Sequence, residues 1–143
     1  QVIWQTGNSY LLEAEKSLKI YKNVKVMPFI DRIDLAYLAA DIIVSRAGAS
    51  TISELCLIGK PVILIPSPNV AEDHQTKNAL ALVQKKAALM ISDRNAIETM
   101  PKILKKLLLD VEMQNELRDN IKKLAKYKSA DNIADQVIKL AIR

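Results

Sequence analysis

The chain has 143 residues, of which 50% are hydrophobic, 4% aromatic and 26% charged, and its formal net charge is +5. That profile suits about one globular domain and excludes a disordered polymer, a disulfide scaffold and a chain with a membrane-spanning run of ~18 apolar residues. The charge invites nucleic acid or anionic lipid, but many lysines gather late, as Lys102, Lys105, Lys106, Lys122, Lys123, Lys126 and Lys128, on amphipathic stretches with few aromatics for base stacking, so a solvated helical face accounts for them better.

Val2–Gln5 reads as a short strand, and the opening Gln1-Val2-Ile3-Trp4 looks like a core strand inside a longer protein. Gly7-Asn8 ends it, and Ser9–Ile20 follows as a helix. Val24–Phe29 is the next strand, and Asp31–Ala40 a short helix with Leu35, Leu38 and Ala39 on one side. Asp31 and Asp34, spaced D-x-x-D, are expected to cap and charge the start of that helix rather than hold a metal. No cluster of His, Cys and carboxylates has metal-ligand spacing.

A third strand, Asp41–Ser45, leads into a helix near Thr51–Ile58, with Gly59 where a C-cap should fall. The lone cysteine, Cys56, excludes an intrachain disulfide, points to a reducing compartment, and reads as a packed thiol within Leu55-Cys56-Leu57-Ile58. Pro61–Pro66 is a further strand, and its run Val62-Ile63-Leu64-Ile65 suits a strand buried on both faces of a parallel sheet. Past Lys86, Ala87–Ile91 is expected to be the last strand. Three apolar stripes follow at helical spacing: Ile97, Met100, Leu104, Leu107 and Leu108; then Met113, Leu117, Ile121 and Leu124; then Ile133, Val137 and Leu140. They are expected to cover the sheet or to pack against a partner domain. Strands alternating with helices imply right-handed βαβ units. The expected fold is α/β, a Rossmann-like doubly wound parallel sheet with helices on both faces and a helical C-terminal tail. Nothing marks an internal boundary, so residues 1–143 read as a single domain.

The segment DIIVSRAGASTISELCLIG, residues 41–59, is the most informative. A buried strand, a turn at Gly48 and a helix beginning near Ser50, Thr51 and Ser53 place unpaired amides and a positive dipole end where a phosphate could sit. Glu54, one turn into the helix, could accept hydrogen bonds from ribose hydroxyls. A plainer reading competes, in which Thr51-Ile52-Ser53-Glu54 is a capping box satisfying the helix's own amides. Spacing alone favours the capping box, and the context on either side decides the matter.

The polar loop Ser67–Asp73 follows a core strand at its C-terminal end, where open α/β sheets bind ligands. The next helix carries His74, Gln75, Lys77 and Asn78 in its first turns. Gln75 and Asn78 share a face, where their amides could read sugar hydroxyls or serve ordinary helix-start chemistry. His74, with no carboxylate nearby beyond Glu72 and Asp73, suits a hydrogen-bonding or surface role better than a general base.

The run PFIDRIDLAYLAADIIVSRAGASTISELCLIGKPVILIPSP, followed by EDHQTKNALALV, closely resembles the C-terminal half of the MurG family of bacterial peptidoglycan N-acetylglucosaminyltransferases, which have a GT-B fold. The similarity spans roughly Ile3 to Ile91, is densest from Pro28 to Asn78, and rests on the R-[AS]-G-A-x-T-x-S-E block, the G-x-P-x-[IL]-x-[IV]-P strand and the Q-x-x-N-A helix in matching order. The resemblance implies that uracil sits near Phe29 and Ile30, held by backbone bonds at the isoleucine. It places the diphosphate against Gly48, Ala49, Ser50, Thr51, Ile52 and Ser53, the ribose on Glu54, and the N-acetylglucosamine on Gln75 with Asn78 nearby. His74 stands where some relatives have a second glutamine.

The family's glycine-rich loop G-G-S-x-G-A would precede Val2. Its N-terminal domain, which binds the lipid-linked acceptor and carries the proposed general base, is not within these residues, so the catalytic group is unknown. The resemblance therefore implies the donor-binding half of an inverting transferase, inactive alone, that uses UDP-GlcNAc to convert lipid I into lipid II. It implies no cofactor, no metal on the diphosphate and no nucleic-acid partner. It implies a peripheral place on the cytoplasmic face of the bacterial inner membrane, with the fragment itself soluble and lipid contact by the tail lysines left open. Alternatives are another GT-B UDP-sugar transferase, a catalytic subunit that needs a partner acceptor domain, and a non-enzymatic nucleotide-binding module.

Overall fold

The computed structural model describes residues 1–69 and 73–142. Val70, Ala71 and Glu72 of the expected ligand loop lie outside the described residues, and with them Glu72 as a neighbour of His74. The chain divides into two compact units, Gln1–Ala40 and Asp41–Arg143. No proline- or glycine-rich linker marks that division in the sequence.

The first unit runs β1 (Val2–Gln5), α1 (Asn8–Leu18), β2 (Val24–Met27) and α2 (Ile33–Ala39). The strands pair in parallel, from Val2 opposite Val24 to Gln5 opposite Met27. Gly7 makes the turn out of β1 with φ 70°, a left-handed value that glycine adopts without strain. The expectation that β1 is a core strand needs correction: Val2, Ile3 and Trp4 are 44–51% exposed, because within this unit β2 is the only strand beside it. Asp31 does not cap α2 either. Arg32 stands at the cap position with no side-chain cap bond, and its guanidinium grips Asp34 through Nε at 3.0 Å and Nη2 at 2.7 Å. The Arg32 hydrogen bond holds the Asp34 carboxyl below its usual range. Both groups are in water, so the pair adds little stability.

The second unit runs β3 (Ile43–Ser45), α3 (Ala49–Ile58), β4 (Val62–Leu64), α4 (His74–Val83), β5 (Leu89–Met90), a 3-10 turn at Asp93–Asn95, then α5 (Ala96–Leu109), α6 (Val111–Lys122) and α7 (Ser129–Ala141). Its three strands form a parallel sheet in the order β3-β4-β5. β4 is central, and Val62, Ile63 and Leu64 have no exposed surface, as the unbroken apolar run predicts for a strand covered on both faces. Gly59 closes α3 in the left-handed conformation, φ 66°, and its N–H donates to Leu55 O at 2.9 Å. Cys56 is buried, and that burial pushes its thiol pKa up.

The first two apolar stripes form the core of this unit. Leu107 and Leu117 pack with Ile63 and Ile91, and Met100, Leu104 and Met113 lean on the same cluster. Ile97 and Leu108, expected on the first stripe, are instead 90% and 55% exposed. The third stripe does not cover the sheet: α7 has no buried residue, and Ile133, Val137 and Leu140 face solvent. The last strand is shorter than expected, although Ala87, Ala88 and Ile91 around it are buried. Among the described residues no helix is long and apolar enough to cross a membrane.

Candidate functional site

The site builds up from the peptide of Ala47, which is fully buried between β3 and α3. Its N–H donates to Gln75 Oε1 at 3.2 Å, and its carbonyl accepts from Asn78 Nδ2 at 3.1 Å. Two α4 side chains therefore fix both polar groups of this peptide. Gln75 Oε1 also accepts from Ser67 N at 2.9 Å, on the loop leaving β4. One carboxamide thus clasps the turns after two neighbouring strands. The double acceptance fixes which end of the carboxamide is oxygen, and so leaves Nε2 with two N–H donors that no described residue uses.

Just before this peptide, Arg46 reaches across the same end of the sheet. Its Nη1 donates to Ile65 O at 3.2 Å and Pro66 O at 3.4 Å, and forms a short ion pair with Asp93 in the 3-10 turn after β5. Arg46 ties together the segments that follow all three strands. The R-x-G spacing placed this arginine in the motif, but a pairing with Asp93, 47 positions away, leaves no mark in a linear pattern.

α3 begins at Ala49, with Gly48 as its cap residue and no side-chain cap bond. The capping box that spacing favoured is therefore corrected. The capping box is not formed: Thr51 is already the third residue of the helix, too far in to act as cap, and Glu54 has no cap amide to reach. The first amide with a backbone acceptor is that of Ile52, which donates to Gly48 O at 2.9 Å. The amides of Ala49, Ser50 and Thr51 therefore stand at the positive helix end without an intrahelical acceptor. Gly48 lies at φ −65°, ψ 147°, a conformation open to any residue. A Cβ there would meet only Thr51 Oγ1, at an ordinary 3.6 Å. Neither backbone strain nor crowding accounts for a glycine at this position.

The remaining α3 residues divide by exposure. Ala49, Ser50, Ser53 and Glu54 are exposed, whereas Thr51 and Ile52 are half-buried. Ser53 Oγ donates back to Ala49 O at 3.0 Å, so its proton is engaged within the helix. Glu54 follows Ser50 by four and Thr51 by three, which sets it on the same helix face as those two residues. On α4, His74 is exposed, while Gln75 and Asn78 are half-buried where they meet Ala47. A crevice of about 160 Å³ lies to one side, lined by Pro66, Pro68, Asp73, Thr76, Met90, Ser92, Asp93 and Arg94. Pro68 and Asp73 of the expected ligand loop line it, but none of the residues to which the resemblance assigns a ligand contact does.

Phe29 and Ile30 belong to the first unit. They follow β2 at the C-terminal end of its two-stranded sheet, beside Gln5 at the end of β1. Phe29 is 65% exposed. Ile30 N–H donates to Gln5 Oε1 at 2.9 Å. Among the described residues, no group of three or more His, Cys, Asp or Glu is placed to hold a metal ion.

Comparison with known proteins agrees with this architecture. The family model described as glycosyltransferase family 28 C-terminal domain matches residues 1–137. The UDP-N-acetylglucosamine–N-acetylmuramyl-(pentapeptide) pyrophosphoryl-undecaprenol N-acetylglucosamine transferase of Parabacteroides distasonis is 56% identical over 142 residues, covering 98% of this chain and 39% of that protein. The transferase of the same name from Bacteroides fragilis is 51% identical over 144 residues, covering 99% and 38%. The crystal structure of Acinetobacter baumannii MurG superimposes with a TM-score of 0.83 at 27% identity, over 96% of this chain and 42% of that one. The chain thus spans about two fifths of the length of the relatives it matches.

Proposed function

Because the chain belongs to the glycosyltransferase family 28 C-terminal domain family, we propose that it is the donor-binding domain of an inverting transferase that moves N-acetylglucosamine from UDP-GlcNAc to undecaprenyl-pyrophosphoryl-MurNAc-pentapeptide. The observation that carries this reading is the start of α3: three amides without helix partners, an unneeded glycine before them, and an exposed carboxylate one turn on. In the second unit, the amides of Ala49, Ser50 and Thr51 take the diphosphate. Glu54 accepts the ribose hydroxyls, and Gln75 Nε2 donates to an oxygen of the N-acetylglucosamine, with Asn78 fixing the Ala47 turn beneath. In the first unit, Phe29 and Ile30 take the uracil.

The reaction asks one thing of these residues. As the acceptor's C4 hydroxyl attacks the anomeric carbon, the new C–O bond forms on the face opposite the breaking sugar–phosphate bond. The hydroxyl proton passes to a base outside this chain, and negative charge accumulates on the departing UDP. The fixed N–H dipoles at α3 stabilise that charge without having to reorganise, because the Gln75 and Asn78 bonds already hold the turn. The lipid-linked acceptor, binding to a further domain, and a peripheral position on the inner face of the bacterial membrane belong to the same proposal. Its support is the name carried by relatives at 51–56% identity.

Isothermal titration of the chain with UDP and UDP-GlcNAc, beside Glu54→Ala, tests the reading. Loss of a charge-assisted bond is expected to weaken both ligands by about 1–3 kcal/mol. A 2′,3′-dideoxy analogue of UDP, having no hydroxyls to offer, should bind parent and variant alike. Parent-like UDP binding by Glu54→Ala would remove the ribose assignment. Preference for UDP-glucose or UDP-galactose would make this a different sugar-nucleotide transferase.

A further inference from the structure

We propose that Gln5 is an internal stand-in for the pyrimidine: its carboxamide occupies the Ile30 amide in the free protein and must be displaced when a uridine nucleotide binds. The inference rests on the assignment of the base to Phe29 and Ile30, and it adds a residue that this assignment does not contain. Three observations from the first unit carry it. Ile30 N–H donates to Gln5 Oε1 at 2.9 Å, a full-strength hydrogen bond between residues 25 apart. Gln5 is exposed and ends β1, so no packing holds its side chain there. Phe29, next to the amide, is 65% exposed.

The chemistry of the two competitors is the same. A primary carboxamide offers a carbonyl acceptor beside an N–H donor, and so does the imide edge of uracil, with its C4 carbonyl next to N3–H. A backbone N–H that donates to one of these carbonyls can donate to the other, but not fully to both at once. The exchange trades one amide–carbonyl bond for another, so the Ile30 donor is never left bare. The intramolecular bond nevertheless opposes the ligand by its own net worth. For an exposed pair, that worth corresponds to about a two- to tenfold reduction in nucleotide affinity.

The test uses the whole chain, with UDP as the probe and two variants whose expected effects have opposite sign. Gln5→Ala removes the competitor and should tighten UDP about two- to tenfold. Gln5→Glu keeps an acceptor, strengthens it with charge, and should weaken UDP by a similar factor. A side chain that merely supports the fold would lower affinity in both. The 15N-resolved amide resonance of Ile30 supplies the second readout: it should differ between free parent and free Gln5→Ala, then converge when both are saturated with UDP. If UDP binds the parent while Gln5→Ala binds equally or more weakly, the displacement idea is overturned and the nucleotide reading stands. If neither protein binds UDP, the nucleotide reading itself fails and takes this inference with it.

Discussion

Gln75 clasps two backbone amides and, in the proposed function, also donates to the sugar; two substitutions separate these roles. Its Oε1 accepts from Ala47 N at 3.2 Å and from Ser67 N at 2.9 Å, and Gln75→Ala deprives both amides of that partner. At about 0.5–1.5 kcal/mol of net stability per bond, the loss comes to about 1–3 kcal/mol. For a unit of this size each kcal/mol moves the melting temperature by about 4–8 °C, so scanning calorimetry should record a fall of at least about 4 °C. The turn that presents the α3 amides loosens at the same time, so UDP and UDP-GlcNAc should both bind more weakly. Gln75→Glu retains acceptor oxygens for the two backbone amides and removes only the Nε2 donors. It should melt close to the parent. Its defect should appear as a reduced ratio of UDP-GlcNAc to UDP affinity, a ratio that cancels the effect of the new charge on the diphosphate common to both. If Gln75→Ala melts like the parent and loses affinity only for the sugar-bearing ligand, the clasp is irrelevant and Gln75 is a sugar contact alone.

Gly59→Ala should cost about 1–2 kcal/mol, because the new Cβ is strained at φ 66° and would stand 2.4 Å from Lys122 Cγ unless that side chain moves; a parent-like urea midpoint would argue against it. Leu107→Ala empties a fully buried α5 position packed with Ile63, Ile91 and Leu117 and should cost about 2–5 kcal/mol by chemical denaturation. Cys56, with its thiol pKa raised by burial, should resist iodoacetamide at neutral pH until denaturant is added, since the thiolate is the reactive form. Alkylation of the native chain as fast as the unfolded one would contradict that packing.

Much of the architecture is legible in the linear chain because burial leaves a periodic trace. The apolar run at Val62-Ile63-Leu64 announces a central strand, Gly59 its preceding helix end, and the stripes through Leu107 and Leu117 the helices that cover it. The motif around Gly48 likewise marks strand, turn and helix in the right order. These features depend on neighbours within a turn or two, which the sequence displays directly.

What only the tertiary structure decided are partnerships between distant residues. The choice between a self-satisfied helix start and an open one turned on α3 beginning at Ala49 instead of Thr51. The Ala47 peptide is pinned from α4, 28 and 31 positions away, which holds the turn just before that start. Arg46 reaches Asp93, and Gln5 reaches Ile30, by the same logic. The exposure of β1 and of the α7 stripe also escaped the pattern, because an apolar stripe shows that a face can be buried without showing what buries it. Hydrogen-bond partners are selected by where chain ends meet in space, and local propensity carries no information about that meeting.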